Sequence, residues 1–105
     1  MRSIQFVFTK LSFMALLLVS CGQDVSVVES GTYSGKVVEV NADEREIYVK
    51  LDNDKTIELY FTDSTSLLKG GKQVAFAELQ KDNAVKVKVE KMGKKLNPLA
   101  VKIRE

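Results

Sequence analysis

Few side chains in this chain are equipped for chemistry. It has one cysteine, Cys21, and no histidine or tryptophan in 105 residues. That excludes zinc sites of the Cys/His type, Ser-His-Asp and Cys-His catalysis, and an intrachain disulfide. Met92 is the only methionine after Cys21, so a Met-rich soft-metal site is excluded too. Oxygen and ammonium groups remain. Asp52-Asn53-Asp54 and Asp43-Glu44-Glu46 gather oxygens of the kind a hard cation takes. Neither has the spacing of an EF-hand loop, and solvated turns account for both. No metal site and no cofactor is therefore assigned. Tyr48 and Tyr60, with Lys36 and Lys50 nearby, form a candidate ligand face, because rings on a sheet surface stack bases or sugars. A plain cross-strand aromatic pair explains the same tyrosines. Lys86, Lys88, Lys91, Lys94 and Lys95 are candidate contacts for an anionic surface; the bland account is a solubilising strand face and turn.

Cys21 is explained by what precedes it. Residues 1–20 carry Arg2 and Lys10, no acid, and an apolar run from Leu11 to Val19. This is the order of a secretory signal peptide, too short for a transmembrane helix of about 20 apolar residues. Leu18-Val19-Ser20-Cys21 resembles the lipobox of bacterial lipoprotein precursors. The resemblance implies cleavage before Cys21 and acyl chains on its sulfur and amine. Two or more chains anchor a protein stably where one does not. Gly22 stands where an Asp favours inner-membrane retention in such lipoproteins, so the resemblance implies the outer membrane, facing the periplasm. Removing Arg2 and Lys10 from 16 basic residues leaves 14 against 14 acidic ones. A neutral mature chain gives no reason to expect nucleic acid as a partner. The charge is uneven along it, acidic over 21–65 and basic over 81–105, as if acidic and basic strands paired across a sheet.

The elements that must position these groups are strands. Residues 21–32 read as the lipidated cysteine and a tether, in which the Val25/Val27/Val28 cluster could instead add a short edge strand. From Tyr33 the period is two. YSGKVVEV (33–40) is rich in β-branched residues, and its Val37, Val38 and Val40 share one face only if a bulge intervenes. EIYVKL (46–51) and TIELYF (56–61) alternate across the turn DNDK (52–55). TDSTSLLKGGKQ (62–73) reads as a connector hinged at Gly70-Gly71. Residues 75–80 read as a short helix or single turn, with Phe76 and Leu79 plugging one end of the sheet. NAVKVKVE (83–90) and LAVKIRE (99–105) are the last strands, with a turn at Gly93 and Pro98 just before the final one.

Three strands, a short helix and two more strands give an all-β, five-stranded OB-like barrel over residues 33–105. The residues also resemble a family of small secreted bacterial OB-like domains of unknown function. The matching segments are Gly35-Lys36-Val37-Val38-Glu39-Val40, Ile47-Tyr48-Val49, Leu79 with Asp82-Asn83 before Val85-Lys86-Val87, and Ala100-Val101-Lys102-Ile103. Asn83 replaces the usual turn glycine, and Asn tolerates the left-handed conformation. The resemblance implies a fold and carries no catalytic residue. The expected protein is a lipid-anchored envelope component without enzymatic activity. It would bind a small ligand or an envelope protein, or support an assembly. The alternative is a ligand- or cation-binding OB-fold in envelope stress tolerance.

Overall fold

Val37, Ile47, Val49, Ile57, Leu59, Val85, Val87 and Val101 are all fully buried, and each belongs to an alternating run. The alternation places one side of every strand in a shared core. Each such side chain stabilises the fold by about 1.5–3 kcal/mol relative to exposure. That explains how a small domain holds together without disulfides. The computed structural model describes residues 25–104. The expected signal peptide, lipobox and Cys21 lie outside the described residues.

Among the described residues seven strands make one sheet: β1 (Gly31–Asn41), β2 (Glu46–Leu51), β3 (Thr56–Tyr60), β4 (Ser66–Lys69), β5 (Lys72–Gln73), β6 (Ala84–Met92) and β7 (Lys95–Ile103). Their order is β3-β2-β1-β6-β7-β4-β5. All pairings are antiparallel except β4 with β7. The long β1 serves both sides, pairing β2 and β6 through Gly35 opposite Leu51 and Val85. The expected bulge in β1 is present, with a register shift between Val37 and Glu39. It lets Val37 enter the core while Val38 turns out.

Gly35 sits where β1 comes close to β2. A Cβ there would stand 2.5 Å from the Lys50 carbonyl oxygen and 2.9 Å from a Val49 methyl. Neither can swing away, since one is backbone and the other core. Gly35→Ala is expected to cost about 1–3 kcal/mol, the range for overpacking a filled interior. Urea unfolding of the two proteins measures it; an unchanged midpoint would show that β1 can shift.

The sheet departs from the five-stranded expectation in three places. The stretch 62–73 is not a plain connector: it contains β4 and β5, folded back at Gly70-Gly71 with φ of 61° and 80°. Two consecutive positive φ values are the signature of a tight primed hairpin turn, which two glycines supply without strain. The hydrogen-bonded sheet is not closed, because β3 and β7 lie beside each other without pairing and β3 and β5 form its edges. Of the short helix or single turn expected at 75–80, the structure has the turn, one 3₁₀ turn at Phe76–Glu78. It still carries the plug: Leu79 is buried, and Phe76 meets Phe61 edge to face at 5.1 Å.

Three smaller differences have local causes. Val25 bridges Thr56, Ser26 N–H donates to the Thr56 carbonyl at 2.7 Å, and Val28 is buried. So most of the stretch expected as tether packs on the domain, covering the start of the β3 edge. Pro98 lies inside β7, at the bulge where Val89 faces it. A missing N–H is tolerated there, and the Pro98 carbonyl accepts from buried Thr65 Oγ1 at 2.8 Å. In the 82–83 turn Asp82 takes the positive φ of 77°, while Asn83 Oδ1 accepts from the Gln80 N–H at 2.8 Å.

Candidate functional site

The β2–β3 hairpin carries Glu46-Ile47-Tyr48 on one strand and Glu58-Leu59-Tyr60 on the other. In each, Glu and Tyr share a face because they are two apart. The turn sets how the two meet. Leu51 N–H donates to the Lys55 carbonyl at 2.7 Å, Asn53 Oδ1 accepts from the Lys55 N–H at 3.0 Å, and Asp54 takes a φ of 70°. The resulting register puts Glu46 opposite Tyr60 and Tyr48 opposite Glu58. Two copies of Glu-x-Tyr, run antiparallel, thus form a square of two carboxyls and two phenols on the outer side of the hairpin.

The square is polar but not solvated throughout. Glu46 is only 3% exposed, one of two buried polar residues among those described. Asn41 Nδ2 donates to Glu46 Oε1 at 3.4 Å, and Tyr48 donates to Glu58 Oε2 at 3.0 Å. Glu46 Oε2 has no hydrogen-bond partner. Contact with Glu58 holds the Glu46 carboxyl below the usual glutamate value, against the opposing effect of burial. The same contact, with burial, raises Glu58. The two carboxyls therefore compete for one proton, which Glu58 keeps. Burial and the Glu58 carboxylate push the Tyr48 phenol far up; hydrogen bonding to Glu46 and Glu58 does the same for Tyr60. Both phenols stay protonated donors.

The expected ligand face is divided. Tyr48 and Tyr60 do come together, but with Glu46 and Glu58 rather than with the lysines. Lys36 and Lys50 stand opposite each other and line a separate cavity of about 620 Å³ with Asp52, Asp82 and Arg104. The Asp52–Asp54 turn is exposed, and so are Asp43 and Glu44 on a 3₁₀ turn. Only Glu46 of that acidic group enters the site. No three His, Cys, Asp or Glu side chains converge among the described residues.

The five lysines have different surroundings. Lys91 pairs with Glu29 at 3.0 Å. Strand β1 of the acidic segment does pair β6 of the basic one, but Lys86 stands opposite Ser34 and Lys102, and Lys88 opposite Thr32 and Ala100, so the expected cross-strand charge pairing is not made at these two lysines. Lys94 and Lys95, at the β6–β7 hairpin, line a groove of about 490 Å³. That groove occupies the seam where β3 and β7 approach without pairing. Val25, Val27, Tyr60, Met92 and Leu96 supply its apolar wall, and Glu58 opens onto it.

Solved structures share this arrangement of strands. A copper(II)-bound variant of CusF from Escherichia coli superposes with a TM-score of 0.56 over 73% of this chain and 94% of its own, at 13% identity. Silver(I)-bound CusF gives 0.55 over 70% and 95%, at 12% identity. Apo-CusF from Escherichia coli gives 0.55 over 73% and 89%, at 14% identity. The chain has the CusF fold. No family model matches the sequence, and no curated protein does. At this identity the likeness to CusF concerns the OB-like β architecture.

Proposed function

We propose that this chain is a non-enzymatic, cation-binding domain of the bacterial cell envelope, anchored through lipid on Cys21, and that Glu46 and Glu58 hold the cation. The observation that carries this reading is Glu46 Oε2, a buried carboxylate oxygen without a partner beside a second carboxyl. Leaving such an acceptor unsatisfied costs about 1–3 kcal/mol, more when it is charged. A proton or a cation relieves that cost. Magnesium-sized ions keep several waters and are held by one or two carboxylates, which matches two glutamates at the edge of a groove.

Two of these CusF structures hold copper(II) and silver(I). A soft ion such as silver(I) prefers sulfur and imidazole. This chain has no histidine, and Met92 is the only sulfur among the described residues. The donor set does not fit that ion and fits a hard one. Within this reading β3 and β4 act as one broken third strand of a five-stranded barrel, with the square on its outer wall. Gly22 supports an outer-membrane position facing the periplasm.

The test is a titration of the full-length protein in detergent with Mn²⁺, followed by electron paramagnetic resonance of the free ion. Saturable uptake is expected. Glu46→Gln and Glu58→Gln should each weaken it about tenfold or more, ~1.4 kcal/mol, and Ag⁺ should not displace it. Equal uptake by both variants would remove the site.

A further inference from the structure

Five large apolar side chains are exposed among the described residues, and four of them, Val25, Val27, Tyr60 and Met92, line the groove between β3 and the β6–β7 hairpin. Grouping of this kind marks a contact surface, since scattered exposed apolar residues are ordinary and clustered ones are not. Lys94 and Lys95 stand on the same groove at the hairpin. Neither has a carboxylate partner among the ion pairs of the described residues.

The chain's path says what this surface faces. Val25 is fixed to β3 through Thr56, and only residues 22–24 separate it from Cys21. Four Cα-to-Cα steps span at most about 14 Å when fully extended. If Cys21 carries lipid, the Val25 end of the groove cannot leave the headgroup layer by more than that distance. The tether of 21–32 that the sequence suggests would have let the domain tumble freely. The observed packing of Val25, Ser26 and Val28 takes that freedom away.

We propose that the groove of Val25, Val27, Tyr60 and Met92, rimmed by Lys94 and Lys95, is the face this domain lays against an anionic lipid surface. The inference rests on the lipid-anchor reading. Its chemistry is that of interfacial docking: apolar side chains enter the boundary between headgroups and acyl chains, and lysines beside them meet the phosphates. Lys36, Lys50, Lys86 and Lys102 are exposed on β1, β2, β6 and β7, where Leu99 is the one exposed large apolar side chain outside the groove among the described residues. They offer charge without the means to insert.

The chain contains no tryptophan, so a single introduced indole reports depth without background. Full-length lipoprotein carrying Met92→Trp, Val27→Trp or Lys36→Trp is reconstituted into phosphatidylethanolamine–phosphatidylglycerol vesicles with brominated acyl chains. All three positions are exposed or nearly so, and none is in the core. Quenching at 92 and 27 is expected to be several-fold stronger than at 36. Lys94→Glu with Lys95→Glu should reduce quenching at 92 without releasing the protein from the vesicles. An anchored protein with no quenching at 92 and 27 would overturn the proposal and leave the groove to some other occupant. Equal or stronger quenching at 36 would overturn it in favour of the basic sheet face. A wild-type protein that fails to float with the vesicles would remove the anchor, and the docking proposal with it.

Discussion

Raising the pH from about 5 to about 8 in chelator is expected to lower the thermal midpoint of the wild-type protein, and Glu58→Gln is expected to remove much of that fall. The direction follows from the two glutamates. The folded state holds the Glu58 proton more tightly than the unfolded chain does. That contribution is complete below the ordinary glutamate value of 4.5 and is lost as the pH rises through the raised folded value. Glu46 acts in the opposite sense: its contribution is present above 4.5 and is lost as the pH falls through its depressed value. The pair favours the fold most between those two values, where it holds one proton. The neighbours facing it are Asn41, Tyr48 and Tyr60, with Lys94 and Lys95 on the same groove as Glu58. The phenols stay protonated, so they do not supply the missing positive charge.

Once the pH has passed the raised Glu58 value, the square contains two carboxylates, one of them buried. A cation in the place of the shared proton should restore the midpoint. Mn²⁺ is expected to raise it at about pH 8 and to do little at about pH 5, where the proton competes. Each kcal/mol corresponds to about 4–8 °C in a domain of this size, within reach of calorimetry. Glu58→Gln keeps the hydrogen-bonding shape and removes one charge, so it should stand above wild type in chelator at high pH and respond weakly to Mn²⁺. A wild-type midpoint that stays flat between the two pH values, or a variant that gains as much from Mn²⁺, would mean that the square is only structural.

The strands were legible because alternation is a local signal with one solution. EIYVKL and TIELYF can bury Ile47, Val49, Ile57 and Leu59 in only one register, and all four are fully buried. The β1 bulge was legible for the same reason, as three valines of mixed parity must be reconciled by an extra residue. The site was not legible, because its decisive residue lies beside a run of acids. Glu46 follows Asp43, Glu44 and Arg45, and by composition it belongs to a solvated loop. Its burial comes from being the first residue of β2, opposite Tyr60. A signal was nonetheless present. Glu-x-Tyr occurs on both sides of a four-residue turn, and an antiparallel hairpin must bring two such copies face to face. The β4–β5 hairpin was missed for a different reason. Its strands are short and half exposed, so only Gly70-Gly71 announced it. Parallel pairing of β4 with β7 is a long-range event that no local pattern encodes.

The largest expected effect of all is at Cys21. Cys21→Ala should move the protein out of the detergent-rich phase in Triton X-114 partitioning, or leave it as an uncleaved precursor. The intact mass of wild type should carry acyl chains that the variant lacks. The reason is arithmetic: one chain binds with only about 10⁴ M⁻¹, at about 0.8 kcal/mol per buried CH₂, whereas two or three chains hold a protein for practical purposes permanently. A variant that partitions like wild type would show that the lipobox resemblance is accidental. Lengthening the link separates anchoring from docking. Ten added Gly/Ser residues between Gly22 and Val25 behave as a coil with an end-to-end distance of about 16–19 Å. Such a protein should stay in the membrane fraction yet lose part of the contact made by Met92 and Val27. The negative potential of an anionic leaflet falls off within about a Debye length, ~8 Å at physiological salt. A short link therefore keeps Glu58, which opens onto the groove, in the layer where divalent cations concentrate. Mn²⁺ affinity measured on anionic vesicles should then drop when the link is lengthened and stay the same on neutral ones. Equal affinity on both surfaces would mean that the cation site and the membrane-facing groove act independently.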